Sequence, residues 1–195
     1  MKLSTIQILG IIAIIGSPWM FIDFINNGLY DRFISTSISG VRNSLFMLGW
    51  ICAVFGLYKL EAMGNKRWQK NLVILQLIFL LIAFAWSILE IFESDSSSLM
   101  FYYLNFSWPI AGFFMLIIGI IILVAKKLKG WKRYVPLLAG LWFPQTVAIG
   151  LIDRNSFTSI MLSGIYATIT FSLLGFVLII IGNEAPIKNR MLYKS

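Results

Sequence analysis

The chain has 195 residues, of which 59 % are hydrophobic and 12 % are charged. Soluble domains carry about 25 % charged residues, so the composition excludes a soluble globular protein and indicates a polytopic membrane protein. The formal net charge is +8, from 16 basic and 8 acidic residues. In a membrane protein such an excess reports orientation, because Lys and Arg collect in cytoplasmic loops. We therefore expect the lipid bilayer, and no nucleic acid, as a partner.

The residue types that are missing exclude several kinds of catalytic and cofactor site. The chain has no His and a single Cys, Cys52. Without His a protein has no Ser-His-Asp triad, no histidine-bound zinc and no bis-histidine haem. One Cys makes neither an intrachain disulfide nor a CxxC redox pair. We accordingly assign no catalytic residue, no metal ligand and no cofactor, and the sequence favours a protein that is not an enzyme.

Six stretches are long and apolar enough to span a bilayer, which takes about 20 residues. In chain order these spans are 5–25, 43–63, 70–92, 101–125, 133–152 and 159–182. The first resembles a signal peptide, but no small-x-small cleavage site follows it and the apolar run continues past Pro18, so we treat it as a span. The predicted fold class is all-α: one six-helix transmembrane domain over residues 1–195.

The loops between the spans differ strongly in charge. If both termini and the loops after spans 2 and 4 are cytoplasmic, 13 of the 16 basic residues lie inside, and only Arg32, Arg42 and Arg154 lie outside. This asymmetry predicts cytoplasmic N- and C-termini. The basic clusters 66–70 and 126–133 fit this topology and attraction to anionic headgroups, with a protein partner or a phosphorylated ligand as the alternative. A short multi-pass chain without targeting signals indicates the cell membrane, specifically a bacterial inner membrane.

A shift of 63 residues superimposes two glycines of each even-numbered span. The matched glycines are Gly49, Gly112 and Gly175, and Gly56, Gly119 and Gly182. The same shift places Glu90 on Asp153. Because similarity at a fixed period marks structural repeats, we predict three tandem helical hairpins, approximately 5–63, 70–125 and 133–182. Chance is the alternative, since Gly is common in membrane helices.

Each odd-numbered span ends in a carboxylate on the predicted outer side: Asp23, Glu90 and Asp153. Glu90 follows Trp68 by 22 residues, which is about 33 Å of helix, so we expect it near the outer interface. One hypothesis is that the three acids face water or pair with the outer arginines. The other is that they form an acidic ring at the mouth of a vestibule and attract a cation or an amine.

Aromatic residues and prolines gather in the outer halves of the spans, where an interfacial aromatic belt explains most of them. Trp142 is different, because it lies about 16 Å of helix beyond Trp131 and so near the membrane centre, next to Pro144 and Gln145. Prolines interrupt helical hydrogen bonding, so we expect kinks at Pro18 and Pro144 that either shape packing or open a pocket. The predicted ligand-binding residues are Trp19, Asp23, Trp86, Glu90, Trp142, Gln145 and Asp153.

Charged residues are missing from the predicted middle of every span, which argues against a proton pump with a midplane relay. Polar side chains in membrane helices usually bond their own backbone or a neighbouring helix, and we expect Gln76 in span 3 to bridge two helices.

These features leave three functional hypotheses open. The first is a protein that binds or transports a small cationic or amphipathic ligand through an outward-facing aromatic and acidic vestibule. The second is a non-catalytic accessory or scaffold protein that forms a homo-oligomer or has a membrane protein partner. The third is a carboxylate-based enzyme acting on lipid, which requires Glu90 and Asp153 to lie within about 5–10 Å of each other.

Overall fold

The computed structural model describes residues 3–27, 37–92, 99–152 and 156–192. The chain in these ranges is helical apart from short turns. Its helices are α1 (Thr5–Gly16), α2 (Trp19–Asn27), α3 (Ser37–Lys59), α4 (Arg67–Phe92), α5 (Leu99–Asn105), α6 (Ser107–Ala125), the 3-10 turn Gly130–Arg133, α7 (Val135–Ile152) and α8 (Phe157–Leu192).

Six segments are long and apolar enough to cross a membrane, as the sequence predicted. They are Thr5–Asn26, Ser37–Lys59, Arg67–Phe92, Tyr103–Ala125, Gly130–Ile152 and Phe157–Asn183. The largest difference from the predicted boundaries is at span 2, which begins at Ser37 rather than at residue 43. The first turns of this helix are polar and therefore fall outside a hydropathy window, yet Ser39 and Asn43 are buried inside the bundle.

Consecutive spans are neighbours in the bundle, and the last span packs against the first. α1 and α2 pack on α3, α3 on α4, α4 on α6, α6 on α7, α7 on α8, and α8 returns to α1 and α2. The most enclosed segment is α3, which also contacts α8. Spans of one predicted hairpin pack together, but so do spans of different hairpins, so these contacts do not single out three separate units.

Span 1 is interrupted at Ser17 and Pro18, between α1 and α2, where the sequence predicted a kink. Pro18 has no N–H, so the carbonyl of Ile14 lacks the donor that a helix normally supplies four residues later. The Ser17 hydroxyl donates to this carbonyl at 2.8 Å. Ser172 of α8 lies 2.6 Å from Ser17 Oγ and must be the donor, because a hydroxyl has only one proton to give. α7, in contrast, runs without a break through Pro144.

Three of the six glycines matched by the 63-residue shift lie where the backbone of another helix approaches closely, namely Gly49, Gly119 and Gly175. A Cβ atom added at Gly119 would lie 2.6 Å from the Cα atom of Leu137 on α7, and one added at Gly175 would lie 2.6 Å from the carbonyl oxygen of Gly10 on α1. No real Cβ atom tolerates such distances, so the backbones meet there directly. Small residues of this kind allow the close packing that holds helices together in lipid.

The matched glycines do not make equivalent contacts. Gly119 of span 4 and Gly175 of span 6 each face the next span around the bundle, whereas Gly49 of span 2 packs on Gly16 of the preceding span. A Cβ atom at Gly49 would lie 3.0 Å from the Gly16 Cα atom. The sequence period is therefore not accompanied by threefold-equivalent contacts at these positions.

Candidate functional site

One face of α3 points into the bundle along its whole length. Its residues are spaced alternately by four and three positions, which places them on one stripe of a helix. None of them is more than 6 % exposed, and they are Ser39, Asn43, Phe46, Trp50, Ala53 and Leu57. The stripe is polar near the start of α3 and aromatic further along. α3 therefore contributes to a polar region and to an aromatic region inside the bundle.

The polar end of this stripe meets two of the three carboxylates that the sequence singled out. We call Asp23, Ser39, Arg42, Asn43 and Glu90 the polar cluster. The Ser39 hydroxyl donates to Asp23 Oδ1 at 2.8 Å, and Asn43 Nδ2 donates to Glu90 Oε2 at 3.2 Å. Asn43 Nδ2 also lies 3.4 Å from Ser39 Oγ. Hydrogen bonds therefore join an acid of α2 to an acid of α4 through two side chains of α3.

Both carboxylates are enclosed by protein. Asp23 is 3 % exposed and Glu90 is 4 % exposed, while the guanidinium NH1 of Arg42 lies 3.9 Å from Asp23 Oδ1. Burying a carboxylate among apolar helices is costly unless donors and cations compensate for the lost water. The contact with Arg42 fits the hypothesis of pairing with an outer arginine. Of the three acids in the predicted acidic ring, Asp23 and Glu90 lie in one network.

Two tryptophans lie one helical turn before these acids. Trp19 precedes Asp23 on α2, and Trp86 precedes Glu90 on α4, each by four residues, which places indole and carboxylate on the same helix face. Trp86 is 3 % exposed, and Trp19 is half-buried against the apolar core. Four of the seven predicted ligand-binding residues thus lie at one end of the bundle, in two equivalent pairs.

Trp142 lies deeper, in an aromatic core formed by Phe46, Trp50, Trp108, Trp142 and Phe171. Its ring centre is 5.1 Å from that of Trp108, at an interplanar angle of 82°. The Trp50 and Phe171 ring centres are also 5.1 Å apart. Such edge-to-face contacts add to the energy of burial. Trp142 is 1 % exposed and its Nε1 donates to the Ser163 carbonyl at 3.2 Å, so this indole is a packed core residue in this conformation.

The remaining predicted site residues are not brought to the polar cluster by any described contact. Gln145 is half-buried on α7, and its buried Oε1 atom has no hydrogen-bond partner among the described residues. Asp153 lies outside the described residues, so the carboxylate pair required by the lipid-enzyme hypothesis includes one residue that is not described. In the described part of the chain, no group of three or more His, Cys, Asp or Glu residues is arranged to hold a metal ion.

Gln76 is fully buried in α4 and contacts α6, as the sequence predicted. Its Nε2 atom lies 3.5 Å from the Ala111 carbonyl oxygen and 3.5 Å from Met115 Sδ. Both distances are at the long limit for hydrogen bonds. Gln76 is therefore a weak bridge compared with Asn43.

Sequence reasoning missed Ser39, Asn43 and Trp50. The predicted span 2 began at residue 43, which assigned Ser39 to a loop and Asn43 to a boundary. A signal was present: residues 39, 43, 46, 50, 53 and 57 follow a regular spacing of four and three. Reading that stripe, rather than hydropathy alone, would have extended the helix and placed both polar residues on its inner face.

Comparison of the chain with family models, with curated proteins and with solved structures gives no match. A functional proposal therefore depends on the arrangement of side chains in the bundle.

Proposed function

We propose that this chain is a multi-pass membrane protein that binds, and transports, a small cationic or amphipathic organic ligand at the polar cluster. One observation carries the proposal: two carboxylates, 3 % and 4 % exposed, are held by hydrogen bonds to one helix between them. Ionisable groups inside a membrane bundle are costly and often mark a substrate or ion pathway. Their presence in so apolar a chain favours a ligand over simple packing.

The chemistry around the acids suits an organic cation. Carboxylates attract a positive charge, and the indoles of Trp19 and Trp86 lie one turn away, where their faces favour a cation over a neutral ligand. Asn43 and Ser39 are donors that stabilise the acids while no ligand is present. A bound ammonium group would take over this role and release both donors.

A closed site needs a movable part, and span 1 supplies a candidate. Asp23 lies on α2, which is separated from α1 by the interruption at Ser17 and Pro18. Short element ends of this kind absorb the backbone changes of hinge motions. A tilt of α2 about this break would separate Asp23 from Ser39 and open the polar cluster.

The charge asymmetry of the loops supports an orientation for this site. With both termini in the cytoplasm, the polar cluster lies at the outer surface of the membrane, and ligand enters from outside. We propose the same topology, three tandem hairpins and a bacterial inner membrane as the setting.

Native mass spectrometry of the detergent-purified protein tests this proposal without a guess at the ligand. We expect a defined low-mass species on the wild-type protein that is lost in Asp23→Asn and in Glu90→Gln. Glu61→Gln is the matched control, because Glu61 is an exposed acid in the turn after α3 and pairs there with Lys70 at 3.2 Å. Equal occupancy in all four proteins, or none in any, would contradict the proposal.

The second candidate function is a non-catalytic accessory protein with a homo-oligomeric or heterologous membrane partner. It is favoured by the enclosure of Trp86 and Trp142. These side chains are 3 % and 1 % exposed, so a ligand cannot reach them in this conformation. In the same experiment it predicts a copurifying polypeptide and no small ligand. Asp23→Asn would then lower stability without changing any bound species.

A further inference from the structure

The turn between α6 and α7, residues 126–134, concentrates positive charge at the opposite end of the bundle from the polar cluster. It contains Lys126, Lys127, Lys129, Lys132 and Arg133, and the sequence has no Asp or Glu from residue 96 to residue 152. The three lysines at positions 126, 127 and 129 are exposed. The turn therefore presents at least three exposed positive charges close together.

The turn has a defined shape. Lys126 ends α6 in the left-handed conformation, with φ of 52°, and Gly130 follows with φ of 62°. Leu128, between the exposed lysines, is 6 % exposed and anchors the turn to the core. The basic side chains therefore project from a fixed backbone.

Arg133 is oriented by its neighbour. Its guanidinium carbon lies 4.8 Å from the centre of the Tyr134 ring, and its NH2 donates to the Tyr134 hydroxyl at 2.7 Å. The Arg133 Nε atom is buried and has no hydrogen-bond partner among the described residues. A guanidinium held in this way keeps N–H donors in the planar geometry that matches phosphate oxygens.

Exposed aromatic residues flank the same turn. Trp131 is 49 % exposed and Tyr134 is 44 % exposed, and both lie at the end of a membrane-spanning segment. Tryptophan and tyrosine favour the level of the lipid headgroups. This position favours headgroup phosphates of the bilayer over soluble phosphates.

We propose that the 126–134 turn is a binding site for the headgroup of an anionic phospholipid. Arg133 contacts the phosphate, the three exposed lysines supply the surrounding charge, and Trp131 fixes the depth in the interface. This site is independent of the proposed function of the polar cluster.

The turn between α3 and α4 provides a matched comparison. This turn and the start of α4 are also basic, with Lys66, Arg67 and Lys70, but Glu61 lies within the turn and pairs with Lys70 at 3.2 Å. Gln69, in the first turn of α4, accepts from the Lys66 backbone N–H at 3.0 Å. If charge alone attracted lipid, both turns would contribute.

Lipid titration of the full-length protein in detergent, read by native mass spectrometry, separates these cases. Phosphatidylglycerol and phosphatidylcholine are the probes. We expect K126Q/K127Q/K129Q to weaken phosphatidylglycerol binding about tenfold or more, because each Lys or Arg near an anionic surface raises the affinity roughly fivefold. K66Q/R67Q/K70Q removes the same number of charges, and we expect it to weaken phosphatidylglycerol binding clearly less, because Glu61 already pairs with Lys70 there.

Arg133→Lys keeps the charge but removes the planar donor set, and we expect it to weaken phosphatidylglycerol binding about threefold. This single variant keeps the test valid if the triple variant does not fold. Equal losses in the two triple variants, wild-type affinity in Arg133→Lys, or equal binding of both lipids would overturn the proposal. Displacement of the lipid by millimolar inorganic phosphate would also overturn it and assign the turn to a soluble phosphorylated ligand.

Discussion

The α6–α7 contact and the contact of α2, α3 and α4 differ in their content of buried charged side chains. Between α6 and α7 the contact is made by backbone: a Cβ atom at Gly140 would lie 2.6 Å from the Leu116 Cα atom. Between α3 and α4 backbone also meets a glycine, since a Cβ atom at Gly40 would lie 2.8 Å from the Ile91 nitrogen, but the polar cluster adds two enclosed carboxylates to the contact of α2, α3 and α4. The α6–α7 side demonstrates that this sequence can pack helices closely with small residues, as membrane proteins commonly do.

The two buried carboxylates support the proposal that the polar cluster binds a ligand. Small residues would pack α2, α3 and α4 at lower cost than carboxylates, because an intramembrane acid must be compensated by donors and cations. Substitutions that add side-chain volume at the α6–α7 contact should therefore lower the stability of the protein. In the polar cluster, removal of a hydrogen-bond donor should lower stability. Neutralising one of its acids should reduce ligand binding more than it reduces stability.

The largest effect is expected on the glycine side. Gly140→Ala should lower the free energy of unfolding by about 3 kcal/mol, because the methyl group meets backbone that cannot move aside. Gly112→Ala is the matched control, since its Cβ atom would meet the Phe143 ring at 2.8 Å and a ring can shift. We expect a cost of about 1 kcal/mol there. Thermal unfolding in detergent measures both, and equal effects would contradict the distinction.

Asn43→Leu should be nearly as costly, at about 2–3 kcal/mol, because it removes a donor from the buried Glu90 carboxylate. Gln76→Leu is the control of similar size and burial, and its two contacts are both 3.5 Å long. Replacing so weakly bonded an amide by an apolar group should be close to neutral. If Gln76→Leu destabilises the protein as much as Asn43→Leu, the cluster has no special dependence on its donors.

Within the aromatic core, Trp142→Phe should cost about 1 kcal/mol more than Trp50→Phe. Both indoles are 1 % exposed, but Trp142 Nε1 donates to the Ser163 carbonyl, while Trp50 Nε1 has no hydrogen-bond partner in the described part of the chain. The difference corresponds to one net hydrogen bond. Equilibrium unfolding of the two variants checks it, and the reverse order would be inconsistent with the described geometry.

The smallest effect is expected at the interruption of span 1. Ser172→Ala removes the donor to Ser17 and should cost about 0.5–1 kcal/mol, whereas Ser17→Ala also leaves the Ile14 carbonyl without a donor and should cost about 1–2 kcal/mol. Paired unfolding measurements would show whether Ser17 is the more important residue. A larger loss in Ser172→Ala would contradict the assignment of Ser172 as the donor.

The parts of the fold that depend on a single stretch of sequence were predictable. Hydropathy and length identified six spans. A membrane helix satisfies its backbone hydrogen bonds within its own segment, so its apolar length can be read from that segment alone. The break at Pro18 was predictable because a proline removes a local donor. Pro144 provided the same signal, but α7 continues through it, so a proline alone does not determine whether a helix stops.

The parts that depend on pairing between distant residues were not predictable. The identification of Asp23 and Glu90 came from their position at span ends, but Asn43, which joins Glu90 to α3, lies 47 positions away. Trp142 was predicted to lie deep, yet its neighbours come from α3, α6 and α8. A hydropathy window has no information on such contacts, because it averages along the chain.

The most direct test of the central claim is the thermal unfolding of wild-type, Asp23→Asn and Glu90→Gln proteins with and without an aromatic ammonium ion, benzylammonium. We predict that the cation raises the wild-type Tm, because a ligand that binds only the folded state stabilises it. Both variants should keep a Tm close to that of the wild type and lose the cation response. Variants that unfold at a much lower temperature, together with a wild type that ignores the cation, would assign the polar cluster to structure alone.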